Sequence, residues 1–331
     1  ERKLKEDKAS AADKDTSGPP QVYLSDIDPK FHQSHWIADR MIDLINESEE
    51  GRPFFAFCSF VDPHHPFDPP REYAQMYDPD TLEPPVWREG ELEDKPPHFR
   101  KARSGHGFSN EKYDYSSLSA HDWGTVKSAY YGMITLIDDN IGRILDAIER
   151  KGIEDDTLII FTNDHGELMG DHGLLFKGPF HYDCLIKAPM ILKWPGEIPK
   201  GSRYSQITEH VDIMPTILEY AGVRTPYGVQ GNSMAAILRG DKGAGKMYAM
   251  TEFNCYDWGL SVKTLTGTDY KLTYYAGKDY GELYDRNADP DEFVNLWADP
   301  EYREVREKMI RKLTDRIIET EDTLPLRIGK Y

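Results

Sequence analysis

The sequence has no long apolar run, few cysteines and no excess of positive charge. Its longest apolar stretches, such as Phe54 to Val61, have the length of buried strands and fall short of the roughly 18 residues of a membrane span. The formal net charge of −18 disfavours nucleic acid as a partner, because phosphate backbones attract basic surfaces. We therefore expect neither a membrane span nor a nucleic-acid partner. An anionic small substrate stays possible, since it needs only a local patch of Lys, His or metal.

The three cysteines, Cys58, Cys184 and Cys255, form no CxxC pair and no zinc pattern. We predict buried, unreactive thiols, above all for Cys58 inside an apolar stretch. No signal peptide is visible, and the chain starts at Glu1 instead of Met. We expect a soluble protein, and the sequence leaves its compartment open between cytoplasm and periplasm.

The apolar pattern predicts alternating helices and strands over residues 31–240. Helical spacing indicates helices over 34–48, 126–150 and 212–221, and continuous apolar runs indicate strands over 54–61, 157–162 and 189–194. Such alternation predicts an α/β domain whose mostly parallel sheet is flanked by helices. Residues 71–120 are polar, aromatic and rich in proline, so we expect them to run irregularly over the surface.

The pattern changes after residue 240. Short strands over 247–252, 260–265 and 270–275, followed by a helix over 300–319, predict a smaller α+β domain with an antiparallel sheet over residues 241–331. Near the start of the chain, a polar stretch from Glu6 to Gly18 leads to Pro19 and Pro20, and we interpret residues 1–30 as a linker or loop.

The segment Asn163-Asp164-His165-Gly166 follows a predicted strand. In α/β sheets ligands bind beyond the carboxyl ends of strands, and an adjacent carboxylate and imidazole can ligate one divalent ion. Gly166 would let the backbone turn tightly beside them. The alternative is a simple turn in which Asp164 bonds the backbone.

Two further loops carry residues that suit an anionic ligand. Lys177, in a turn-rich loop, could bind an anion as a point charge, or it is an ordinary surface lysine. His64 and His65 lie between Pro63 and Pro66, and either could donate to an anionic oxygen or act as a general acid. The alternative is that both histidines stack on neighbouring aromatic rings.

Taken in order, these motifs resemble the sulfatase family over roughly residues 36–320. The resemblance rests on motifs that follow one another along the chain: Pro63 to Phe67, Tyr131-Gly132, Ile137 to Arg143, Ile159 to Gly166, Gly170 to Gly173, Lys177-Gly178, Pro189 to Gly196, Asp212 to Leu218 and Glu282 to Asp285. It implies a sulfuric ester hydrolase with an alkaline phosphatase-like fold. Its substrate would be a small anionic ester.

The resemblance also implies roles for single residues. Asp164 and His165 would ligate one divalent metal ion. Lys177 would contact the sulfate group, and His64 would contact it or assist the leaving group. We include His181, in the same loop as Lys177, among the predicted substrate-binding residues.

His165 leaves the metal and the ester open. Many sulfatases have Asn at this place and use calcium, whereas imidazole suits manganese or zinc better. A histidine here is also similar to the related phosphonate monoester hydrolases. The alternative activity is therefore hydrolysis of phosphonate monoesters or phosphodiesters.

One element of the family is missing from the sequence. Its nucleophile is a formylglycine made from Cys or Ser in a Cys/Ser-x-Pro/Ala-x-Arg motif, and none of the three cysteines stands in such a motif. We expect the formylglycine and the remaining metal ligands in a missing N-terminal segment or a second chain. Alone, the chain would be inactive, with exposed strand edges that make it aggregate. The remaining alternative is a truncated binding module without catalysis.

Overall fold

The computed structural model describes residues 19, 21–105, 114–241 and 243–321. The chain divides into two compact units that interleave along the sequence. The first consists of residues 1–88, 101–157 and 167–176, and the second of residues 89–100, 158–166 and 177–331. The boundaries that we predict at residues 30 and 240 stay predictions, and most of the predicted linker lies outside the described residues.

The described residues form helices of very different lengths. In chain order these are α1 (Gln33–Glu47), α2 (Arg71–Ala74), α3 (Pro97–Arg103), α4 (Ala120–Lys151), α5 (Asp183–Ile186), α6 (Ile213–Tyr220), α7 (Ala235–Leu238) and α8 (Arg303–Glu319). The predicted helices are confirmed. The segment 71–120, predicted to be irregular, contains the short helices α2 and α3.

The described strands form two antiparallel sheets. The first joins β1 (Ile159–Thr162) and β2 (Met190–Lys193), and the second has the order β3 (Ala249–Cys255), β4 (Leu260–Thr266), β5 (Tyr270–Tyr275) and β6 (Gly281–Asp285). In the described part of the chain, parallel pairing is limited to the isolated bridges Val22–Phe67 and Ser25–Pro70. The antiparallel C-terminal sheet agrees with the prediction, and β6 adds a strand to it.

Helix α4 organises the first unit. Ser119 and Asp122 cap its first turn in a reciprocal capping box, and Gly152 ends it in the left-handed conformation with a φ of 73°. One face of the helix is apolar, and Val126, Ala129 and Met133 are buried there with residues that arrive from other parts of the chain: Phe67, Tyr115, Met169, Leu175 and Phe176. Helix α1 packs against α4.

The C-terminal sheet and helix α8 form the core of the second unit. Leu265, Leu272 and Leu283 are paired across β4, β5 and β6, so that they form one apolar row on the same face. Met309 and Leu313 of α8 pack against this row. Side chains one turn apart on α8 therefore pack against side chains on one face of the sheet, and together they form one core.

The second unit also buries an ionic network. Lys271 on β5 has no exposed side-chain area, and it forms ion pairs with Glu292 and Asp183. Arg286 pairs with the same Asp183 carboxylate at 2.7 Å. Burial raises the pKa of Glu292, and the Lys271 charge offsets only part of that rise.

The predicted strand over Phe54–Val61 is wrong for the described residues, which form no strand there. A strand needs hydrogen-bonding neighbours, and no described segment pairs with these residues. The side chains of Phe55 and Phe57 are 73% and 80% exposed, instead of buried on both faces as predicted. Among the described helices none is both long enough and apolar enough to serve as a membrane span.

Candidate functional site

Asp164 and His165 lie directly beyond the end of β1, in the second unit. Asp164 Oδ1 accepts the backbone N–H of His165 at 2.9 Å, and His165 Nδ1 lies 2.8 Å from the Gly166 carbonyl oxygen. A carbonyl oxygen can only accept, so Nδ1 carries the proton and Nε2 presents its lone pair. Metal-ligating histidines have this arrangement, in which one ring nitrogen donates to a fixed acceptor and the other binds the ion.

The separation between the two side chains fits a shared ion. His165 Nε2 lies 3.5 Å from Asp164 Oδ2. Two ligands at about 2.1 Å from a tetrahedral ion lie about 3.4 Å apart, and two ligands at about 2.4 Å from an octahedral ion are separated by about the same distance. The distance between His165 Nε2 and Asp164 Oδ2 therefore suits zinc, manganese and calcium alike. The imidazole donor favours the first two.

These two residues supply only part of a coordination shell. The Asp164 side chain is 86% exposed and that of His165 is 38% exposed, so both are accessible to an ion. Over the described ranges, no group of three or more His, Cys, Asp and Glu residues converges in a way that could hold a metal.

Gly166 fixes the backbone beside the pair. Its N–H donates to the Leu185 carbonyl oxygen at 2.7 Å, and a Cβ on residue 166 would lie 1.9 Å from the Cys184 carbonyl oxygen. Only glycine fits at this distance. The sequence predicted a tight turn at Gly166, and the structure adds a different reason, which is the close approach of α5.

His210 was missed by the sequence reasoning, and it lies at the end of β1. Thr162 Oγ1 donates to the Pro189 carbonyl oxygen at 2.8 Å, and His210 Nε2 lies 3.3 Å from the same hydroxyl. The hydroxyl proton is committed to Pro189, so the His210 N–H donates to Thr162. Between Thr162 and Asp164, Asn163 Oδ1 is buried without a partner among the described residues. No motif in the sequence marks His210.

Lys177 and His181 lie in one loop of the second unit but in different environments. Lys177 is half-buried, whereas His181 is 6% exposed and its Nδ1 lies 2.7 Å from Thr264 Oγ1. Burial, together with the positive charge of Lys271, lowers the pKa of His181 to about 3. These surroundings give His181 a structural place in the core and no support as a substrate-binding residue.

The histidine pair of the first unit is stacked, as one of the alternatives predicted. The rings of His64 and His65 are 4.2 Å apart with an angle of 25° between their planes, and His65 also contacts Phe176 at 4.4 Å. His64 is exposed, and its Nδ1 contacts the His65 carbonyl oxygen, so Nε2 is the nitrogen available to a ligand. The predicted site residues are thus divided, with His64 in the first unit and the others in the second.

The loop that precedes Lys177 has an unusual backbone. Met169, His172 and Phe176 have φ values of 51°, 55° and 66°, a region that non-glycine residues rarely adopt. Each such residue costs on the order of 1–3 kcal/mol and persists only where its surroundings enforce it. Leu168, Leu174 and Leu175 are buried and anchor this loop.

The cysteines show no sign of a reactive site. None of the three cysteines forms a disulfide bond within the described part of the chain, and all three are half-buried. Burial raises the pKa of Cys58, which disfavours the thiolate that nucleophilic chemistry requires.

Sequence comparison identifies two matching families. A model of the sulfatase family matches residues 5–223, and a model of the C-terminal part of N-sulphoglucosamine sulphohydrolase matches residues 170–319. An arylsulfatase of Clostridium perfringens is 31% identical over 294 residues, which are 86% of this chain and 59% of the relative. A multifunctional alkaline phosphatase superfamily protein of Trinickia caryophylli is 29% identical, over 91% of this chain and 62% of its own length.

Structural comparison finds a similar fold in a solved hydrolase. The phosphonate monoester hydrolase of Agrobacterium radiobacter superimposes with a TM-score of 0.80 and 26% identity, and the match covers 92% of this chain and 64% of the neighbour. The likeness confirms the predicted alkaline phosphatase-like fold class. The chain spans less than two thirds of the length of each of these three proteins.

Proposed function

Because this chain belongs to the sulfatase family, we propose that it forms part of a hydrolase of sulfuric esters. The observation that carries the proposal is the pair of Asp164 and His165 beyond β1. Their ligand atoms lie 3.5 Å apart, and the hydrogen bond from His165 to Gly166 holds the imidazole in the tautomer that binds a metal.

Asp164 and His165 would hold one divalent ion together with ligands from outside the described residues. When bound, such an ion supplies positive charge that neutralises an oxyanion and lowers the pKa of a coordinated oxygen. The protein's part is to present the carboxylate and the imidazole together. Gly166 and the Cys184 carbonyl oxygen fix the backbone from which both side chains project.

Lys177 and His64 would bind the ester. The Lys177 ammonium group suits sulfate oxygens as a point charge on a flexible stem. His64 presents Nε2 to solvent, since Nδ1 is engaged by the His65 carbonyl oxygen. It could therefore donate to an ester oxygen when protonated, or take a proton at Nε2.

This chain does not supply the nucleophile of the proposed reaction. No Cys in the sequence lies in the formylglycine motif, and the chain spans 59% of the arylsulfatase that it matches. We therefore assign the formylglycine and the remaining ligands to a segment outside this sequence.

The test is an assay of the intact natural protein on an aryl sulfate after removal of metal with a chelator and readdition of calcium, manganese or zinc. Peptide mapping of the same material would show whether a formylglycine peptide accompanies this chain. Metal-dependent turnover that is lost in Lys177→Ala is the expected result. Material that carries formylglycine and metal but turns over neither sulfate nor phosphonate esters would refute the proposal and favour a binding module.

Hydrolysis of phosphonate monoesters is the second candidate, and His165 favours it. The solved phosphonate monoester hydrolase resembles this chain at 26% identity. Parallel assays on an aryl sulfate and an aryl phosphonate monoester separate the two activities. A larger kcat/KM for the phosphonate would make it the principal substrate.

A further inference from the structure

Helix α5 contacts both the loop of the proposed metal ligands and, through Asp183, the C-terminal sheet. The Leu185 carbonyl oxygen accepts the Gly166 N–H at 2.7 Å, and a Cβ on residue 166 would lie 1.9 Å from the Cys184 carbonyl oxygen. Gly166 directly follows His165, and all these residues belong to the second unit. The place of α5 therefore determines where the backbone beside the ligands can run.

Helix α5 has only four residues, so its own hydrogen bonds do not hold it in place. Helices of this length are unstable in water unless other parts of the protein fix them. Leu185 is buried, but apolar burial is non-directional and does not by itself set the orientation of a helix. The orientation of α5 therefore depends on its directional contacts.

Asp183, the first residue of α5, makes such contacts. Its Oδ1 accepts a hydrogen bond from Lys271 Nζ at 2.9 Å, and its Oδ2 accepts one from Arg286 Nη2 at 2.7 Å. Its backbone N–H donates to Glu292 Oε2 at 2.9 Å. Burial opposes the ionisation of Asp183, but the charges of Lys271 and Arg286 outweigh it and hold its pKa below the usual value. The carboxylate is therefore charged at neutral pH, and each of its oxygens accepts from a cation.

Both cations are held by the C-terminal sheet. Lys271 lies on β5, and its side chain is fully buried. Arg286 follows the last residue of β6, and its Nη1 also donates to the Gly267 carbonyl oxygen at 2.6 Å, in the turn before β5. Groups on strands are positioned more precisely than groups on loops, so the sheet gives α5 a fixed support.

We propose that Asp183 is a positioning residue for the metal site, through which the C-terminal sheet sets the place of Asp164 and His165. The contacts lead from the two cations to Asp183, along one turn of α5 to the carbonyl oxygens beside Gly166, and from there to the ligands. A buried ion pair adds little stability over a well-packed apolar contact, whereas charge-assisted hydrogen bonds fix direction. This inference rests on the metal site of the proposed function.

The test is calorimetric titration of the intact natural protein with manganese, together with unfolding in urea. Asp183→Ala should weaken manganese binding at least about tenfold, because the ligands lose the support that orients them. Asp183→Asn keeps an acceptor of the same shape and should weaken binding less. It also carries the test if Asp183→Ala does not fold.

Leu313→Ala is the matched control for lost stability. Leu313 belongs to the same apolar cluster as Leu272, whereas the neighbouring Lys271 faces the opposite side of β5 and reaches Asp183. The control should therefore lower the urea midpoint and leave the manganese affinity unchanged. A positioning role lowers the affinity, and a general loss of stability does not.

A double-mutant cycle with Gly166→Ala tests whether Asp183 acts through α5. If it does, the double variant should bind manganese no more than about twofold more weakly than the weaker-binding single variant. The amide proton shift of Gly166 is a readout that needs no metal, because this N–H donates to Leu185 of α5. It should move in Asp183→Ala and stay in place in Leu313→Ala.

Three results would overturn the inference. If manganese binding requires His165 but is as tight in the Asp183 variants as in Leu313→Ala, Asp183 does not position the ligands, and the proposed function stands. Additive losses in the cycle with Gly166→Ala would mean that Asp183 does not act through α5. If the protein binds no manganese, or binds it equally in His165→Ala, the metal site of the proposed function is wrong and this inference is wrong with it.

Discussion

The α-carbon of Gly166 lies against the carbonyl oxygen of Cys184, so closely that a Cβ on Gly166 would be 1.9 Å from that oxygen. The neighbouring contact is a hydrogen bond from Gly166 N–H to the Leu185 carbonyl oxygen. The predicted metal ligands Asp164 and His165 are therefore attached to a backbone that cannot accept even one additional carbon atom.

Gly166→Ala should separate the loop from α5 and misplace Asp164 and His165. We expect a loss of about 1–3 kcal/mol of stability, as for other overpacked sites, and at least tenfold weaker metal binding. Calorimetry of metal binding to the intact protein checks this. Gly142→Ala is the matched control, because it replaces a helical glycine at which an added Cβ would meet no atom within 4 Å. Equal metal affinities in the two variants would contradict the prediction.

Acid should destabilise the second unit through two buried histidines. Burial lowers the pKa of His98 to about 4 and that of His181 to about 3, against about 6.5 in the unfolded chain. Between these values the unfolded state binds more protons, so this stabilisation is complete above pH 6.5 and is lost as the pH falls. When the pH falls from 7.5 to 5.5, each histidine should lower the free energy of unfolding by about 1.4 kcal/mol.

Urea unfolding at a series of pH values measures this dependence, with tryptophan fluorescence as the readout. His181→Gln should remove about half of the slope contributed by the pair. His121→Gln is a suitable control, because that histidine is exposed and Asp80 raises its pKa. An unchanged slope in His181→Gln would mean that this histidine is not buried in its neutral form.

The exposed aromatic side chains of Phe55 and Phe57 should make the isolated chain associate. Replacing both with Lys removes apolar surface and adds like charges, so self-association should fall. Analytical ultracentrifugation gives the mass directly. Phe31→Lys is the control, since Phe31 is 69% exposed but lies outside the segment. A wild-type chain that sediments as a stable monomer of 38.0 kDa would contradict the prediction.

Lys271→Met should destabilise the second unit by about 3–5 kcal/mol, because it leaves the buried Glu292 carboxylate without its cation, whereas Asp183 keeps its ion pair with Arg286. Adding Glu292→Gln should restore part of that loss. Gln keeps an acceptor for the Asp183 backbone N–H, which Glu292 binds at 2.9 Å. Chemical unfolding of the two variants tests this prediction, and Lys312→Met, at an exposed lysine, is the control. If Glu292→Gln lowered the free energy of unfolding further, the loss caused by Lys271→Met would not be electrostatic in origin.

The sequence predicted the elements whose signals are local. The apolar stripe of α4 and the alternating strands β3 to β5 came out at nearly the predicted bounds, because helical and strand periods are properties of neighbouring residues. Phe54–Val61 has the composition of a strand, yet it forms none, since a strand also requires a partner that composition cannot supply.

The candidate site was predictable only where a motif marks it. Asp164 and His165 were identified by adjacency after β1, and their geometry fits the predicted role. His210 reaches Thr162 from a different part of the chain, and one histidine before a helix carries no signal of that contact. His181 stands in the same kind of loop as Lys177, and only its burial against Thr264 separates the two.

From helix α4 we also expect an order of assembly for the first unit. Its 32 residues are more than twice the length at which isolated helices are marginal in water, and its caps lie within its own sequence. Helix formation takes about a microsecond, far faster than bringing together distant segments. We therefore expect Phe67 and Phe176 to dock onto a helix that has already formed, and the loops of the unit to be added to it afterwards.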